Sequence, residues 1–69
     1  MQPVISRPRF EVAMAEAGYN YSTLAQSLGI GRTSLWRRVN GLSEFTATQL
    51  LMLTELLKLK SPWEIYLRK

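Results

Sequence analysis

The chain has 69 residues and a net charge of +4, from nine Lys and Arg against five Glu, which suffices for one small core and leaves no room for a second. It contains neither cysteine nor histidine, so zinc ligation, disulfides, thiol nucleophiles and imidazole bases are excluded. The carboxylates Glu11, Glu16, Glu44, Glu55 and Glu64 each stand alone among helix formers, and no enzyme or cofactor is expected.

The opening MQPVISRPRF lacks the apolar h-region of a secretory signal, and zero cysteine fits a reducing compartment, so a cytoplasmic protein is expected. Phe10, Ala13, Met14 and Ala17 recur at the spacing of one helical face. With Pro8 suited to a first turn and Gly18 to a left-handed stop, the spacing predicts a helix from about Pro8 to Ala17. Tyr21, Leu24, Ala25 and Leu28 repeat the pattern behind Asn20, a good N-cap, and Gly29 ends this second helix. In RTSLWRRV, Leu35 and Val39 share a face and Asn40-Gly41 closes a third short helix.

Thr46-Ala47-Thr48-Gln49 reads as a capping box, reinforced by a staple of Phe45 on Leu50. The helix it opens carries Leu50, Leu53 and Leu57 on its core face, widened by Leu51, Met52, Leu56 and Leu59, with Lys58 and Lys60 in its last turn. Leu50 to Leu53 is the longest apolar run, far short of the ~18 residues needed to span a bilayer, and no membrane partner is expected. Ser61-Pro62-Trp63-Glu64 reads as a second capping box ahead of a short fifth helix. Period-two alternation is confined to Gln2 to Ser6, so no sheet is expected. The expected fold is all-α, a compact bundle of about five short helices in one domain over residues 1–69.

Residues 20 to 41 place two short helices around a glycine-containing turn, the pattern of a helix-turn-helix. Ala25 is small where the third helix crosses the second, Gly29 permits positive φ, Ile30 plugs the core, and Leu35 and Val39 anchor the second helix of the unit. The segment NYSTLAQSLGIGRTSLWRRVNG resembles the lambda-repressor-like, Cro and repressor type of helix-turn-helix domain, through Leu24-Ala25, Leu28-Gly29-Ile30, Leu35 and Asn40-Gly41. The following SEFTATQLLMLTELL is similar to that family's fourth helix in small phage-encoded members. The resemblance implies a phosphate contact at the start of the second helix, where Tyr21 offers a hydroxyl or gives its ring to the core. Arg38 stands where many members place an apolar residue.

Between Glu16 and Glu44 no acid occurs, while Arg32, Arg37 and Arg38 do, a charge pattern suited to phosphate. With Leu35 and Val39 inward, Thr33 and Arg37 point outward, Ser34 and Trp36 flank them, and Arg32 leads the first turn. Arg32, Thr33, Ser34 and Arg37 are therefore candidates for reading bases. Ser22, Arg38 and Asn40, with Tyr21, are candidates for phosphate, Asn40 serving equally well as a turn former. Trp36 packs against helix four, a thymine methyl or another protein, and Trp63, Ile65, Tyr66 and Leu67 divide between core and a partner patch. The expected function is sequence-specific regulation by insertion of helix 32–39 into the major groove of an operator. The alternative is a protein-interaction module acting on a partner repressor. A homodimer stays open.

Overall fold

The structure is a computed structural model that describes residues 5–66. Its elements are α1 (Arg7–Glu16), α2 (Tyr21–Leu28), α3 (Arg32–Val39) and α4 (Ala47–Leu56), followed by one turn of 3-10 helix at Pro62–Ile65. Leu67 and the outermost residues of the expected 1–69 domain lie outside the described residues.

Three helix starts are fixed by side-chain caps. Ser6 opens α1 one residue earlier than Pro8 suggested, its hydroxyl accepting from the Arg9 N–H at 3.4 Å. Asn20 and Thr23 cap each other at α2, with Thr23 N–H to Asn20 Oδ1 at 2.8 Å and Asn20 N–H to Thr23 Oγ1 at 2.9 Å. The capping box read at Thr46 and Gln49 forms at α4, with reciprocal distances of 3.1 and 3.0 Å. Each such cap contributes about 1 kcal/mol.

The fifth helix is corrected to a 3-10 turn. The Ser61 side chain makes no capping bond, and the Glu64 carboxylate accepts from the Lys60 N–H at 2.8 Å, one residue before the donor that a capping box requires. Only four residues are available before Tyr66 turns extended at φ −97° and ψ 149°, too few to close a stable α-helical turn.

All four α-helices end by one device, in which an N–H two or three residues past the last helical residue reaches back five positions. Tyr19 donates to the Met14 carbonyl at 2.9 Å, Ile30 to Ala25 at 3.0 Å, Leu42 to Arg37 at 2.8 Å and Leu59 to Thr54 at 2.9 Å. The residue before each donor takes a left-handed conformation: Gly18, Gly29, Gly41 and, at φ +56°, Lys58. Lys58 and Lys60 thus lie beyond the last turn of α4 instead of within it. A side chain in the left-handed region is disfavoured by ~1–2 kcal/mol. Lys58→Gly is expected to stabilise the fold by about 1 kcal/mol, raising Tm by roughly 4–8 °C; a thermal melt showing no gain contradicts the strained terminator.

The core joins Phe10 and Met14 of α1, Leu24, Ala25 and Leu28 of α2, Leu35 and Val39 of α3, and Leu53 of α4, with Phe45, Leu57 and Ile65. Leu51 is 65% exposed and lies off the core face to which the sequence assigned it. The two ends of the described chain meet: Ile5 and Tyr66 form an isolated antiparallel bridge. The Ser6 N–H donates to the Ile65 carbonyl at 2.7 Å, and Arg9 Nη1 donates to the Tyr66 carbonyl at 3.2 Å. That bridge is the only β pairing among the described residues.

Candidate nucleic-acid interface

α2 and α3 pack on each other across the turn at Gly29, Ile30 and Gly31. Ala25 is buried at this crossing and Ile30 packs against the core, as the small and apolar residues at those positions require. Leu35 and Val39 take the inner face of α3, which leaves Arg32, Thr33, Trp36 and Arg37 exposed and Ser34 half-buried. Gly31, the N-cap of α3, has no side chain to satisfy the first amides. The N–H groups of the opening turn therefore remain free for an acceptor outside the chain, at the positive end of the helix dipole. Ser22 lies exposed in the first turn of α2.

Tyr21, Arg32, Thr33 and Trp36 come together around one open concavity where the N-terminal parts of α2 and α3 meet. Tyr21 is held firmly there. Its ring centroid lies 6.2 Å from that of Phe10, and its hydroxyl donates to Glu11 Oε2 at 2.8 Å. Arg7 Nε donates to the same oxygen at 3.0 Å. Burial, aided by the Glu11 carboxylate, pushes the Tyr21 phenol up to about 12. The Tyr21 hydrogen bond and then Arg7 hold Glu11 below its ordinary value. A phosphate ester oxygen only accepts, so a hydroxyl proton committed to Glu11 is not available to it, and the ring is what Tyr21 presents to the concavity. Sequence reasoning missed Glu11; its only local signal is the four-residue spacing from Arg7.

Arg38 and Asn40 fold back onto their own helix. Arg38 Nη1 donates to the Ser34 carbonyl at 3.1 Å, and its Nε is buried without a hydrogen-bond partner. Asn40 Nδ2 donates to the Trp36 carbonyl at 2.8 Å, the turn-forming alternative for that residue. Trp36 does not enter the core against α4, the packing that would have sheltered it. It stands about 100° round the helix from Leu35 and is 44% exposed. Among the described residues at the far end of the chain, only Ile65 is buried; Trp63 is 59% exposed, its ring centroid 5.2 Å from that of Tyr66.

No helix among the described residues is long and apolar enough to cross a membrane. The family described as bacterial regulatory protein, Fis family, matches residues 3–40, more than half of the chain and all of α1 through α3. No curated protein and no solved structure matches.

Proposed function

The chain belongs to the Fis family of bacterial regulatory proteins, a helix-turn-helix DNA-binding family, and from that premise we propose that it is a sequence-specific regulator that lays α3 in the major groove of an operator. It acts in the cytoplasm in the manner of Cro and repressor proteins of small phages, occupying the site and so blocking or redirecting transcription. Arg32 and Arg37 fork onto guanine O6 and N7, and Thr33 and Ser34 reach a base or a neighbouring phosphate. Ser22 and the free amides at the start of α3 take phosphate, and Arg38 and Asn40 support that edge with the N–H groups they do not give to Ser34 and Trp36, while Tyr21 contributes its ring. The observation that carries this reading is the outward set Arg32, Thr33 and Arg37 on an acid-free helix whose other face is buried through Leu35 and Val39.

Arg37 is exposed and contributes nothing to the core. Arg37→Ala is expected to leave the melt unchanged, to weaken specific binding by roughly 1–3 kcal/mol and to relax preference at one base pair. The measurement is an electrophoretic titration with purified protein alone, against a duplex enriched from random sequence and a scrambled duplex. Parent-like affinity of the variant for the enriched duplex removes Arg37 from base reading.

A second reading has one observation in its favour, the exposure of Trp36. In it, the same fold docks on a partner repressor and does not read DNA directly. A shift that requires a second protein, with none from this protein alone at low salt, supports that reading.

A further inference from the structure

The concavity between α2 and α3 combines features that no phosphate explains. Two of its four lining residues are aromatic, Tyr21 and Trp36, and the other two are Arg32 and Thr33. Trp36 leaves a large apolar surface in water on an otherwise basic helix, an arrangement that is unfavourable until something apolar covers it. The Tyr21 ring is preorganised, with its hydroxyl tied to Glu11 and its ring tilted at 35° to that of Phe10, centroids 6.2 Å apart. The major-groove edges of the four standard bases carry polar donors and acceptors throughout, with one apolar group among them, the thymine 5-methyl. Arg32 is the charged residue that lines the notch, and the one carboxylate beside it, Glu11 behind the Tyr21 hydroxyl, is paired with Arg7, which suits the notch to a polyanion and sets it against an acidic protein surface.

We propose that the notch walled by Tyr21 and Trp36 is a specificity-determining site for a thymine 5-methyl group, set beside the base contacted by Arg32. This rests on the reading of α3 as the helix that enters the major groove, and adds to it the base feature that one part of the surface selects. Arg32 extends from the first turn of α3, while Trp36 lies one turn further on. The thymine therefore neighbours the base pair that Arg32 reaches. Thr33 adds a methyl group to the apolar wall and a hydroxyl for a base edge or backbone.

The test replaces each thymine of the enriched duplex, one at a time, by deoxyuridine, which removes a methyl group and retains pairing and O4. One position in each bound site is expected to lose about three- to fivefold in affinity, the worth of one buried methyl group. Trp36→Ala is expected to bind the thymine duplex more weakly while binding the thymine and uridine duplexes alike at that position. Because Trp36 is outside the core, its melt should match that of the parent. Tyr21→Phe, which keeps the ring, is expected to retain the discrimination. An enriched site without a fixed thymine overturns the inference, as does indifference to deoxyuridine at every position, or discrimination that survives Trp36→Ala. Each of those results leaves specific DNA binding intact. Failure to bind any duplex at low salt instead overturns the DNA-reading function, and the inference with it.

Discussion

Leu35→Ala is expected to unfold the domain at ordinary temperatures. Leu35 is fully buried, at 0% exposure, in the single core formed by all four helices. Removing a leucine side chain from such a site destabilises by about 2–5 kcal/mol, through lost burial and the cavity left behind. A core of this size supplies only roughly 3–5 kcal/mol in total. α3 is eight residues long and cannot persist without its packing. The variant should therefore lose its cooperative helical melt by circular dichroism, and its loss of DNA binding should follow from that. Arg37→Ala, two positions along the same helix, should show the opposite pattern, an intact melt with weakened binding. A Leu35→Ala variant that melts like its parent is incompatible with α3 being anchored through this residue.

DNA binding is expected to weaken steeply with salt, to a degree that reports how many domains are bound. The acid-free stretch holds Arg32, Arg37 and Arg38, and each phosphate neutralised contributes about −0.9 to the slope of log affinity against log salt. Each arginine brought against the duplex, at a phosphate or at a base edge beside one, displaces counterions, and three give a slope of about −3, or roughly 40-fold lost between 50 and 200 mM salt. Two domains on a two-fold site give about −5 and roughly a 10³-fold loss. Titrations at four or five salt concentrations distinguish the two values. A slope near zero removes the basic stretch from the interface.

The sequence revealed most about the fold where a local residue type has one common structural use. Gly18, Gly29 and Gly41 stop helices because they tolerate positive φ, and Thr46 with Gln49 announces a helix start through a bond pattern contained within four residues. Lys58 takes the same left-handed role without any compositional sign of it, because what holds it there is the return of the Leu59 N–H to Thr54. The Ser61 to Glu64 motif misled because a flexible carboxylate had two adjacent amides within reach and took the one on Lys60.

At the candidate site, the helical repeat separated Leu35 and Val39 from Arg32, Thr33 and Arg37 correctly. It could not decide what covers Trp36 or holds Tyr21, since those outcomes depend on neighbouring helices. The Glu11 carboxylate reaches Tyr21 across ten positions of sequence and from another helix. Arg38 and Asn40 chose carbonyls of their own helix, at Ser34 and Trp36, over solvent, a choice that depends on rotamers and local burial.

The pairing of Ile5 with Tyr66 has a mechanical consequence. Any sequence that continues the chain in either direction is attached beside this bridge, so tension between the two ends is applied to the Ser6 to Ile65 and Arg9 to Tyr66 hydrogen bonds. Antiparallel segments pulled apart from one end open like a zip, one bond after another, a geometry that resists little force. The hydrogen bonds so loaded belong to the chain ends and not to the packing of α2 on α3, so local opening there leaves the helix-turn-helix contacts unbroken.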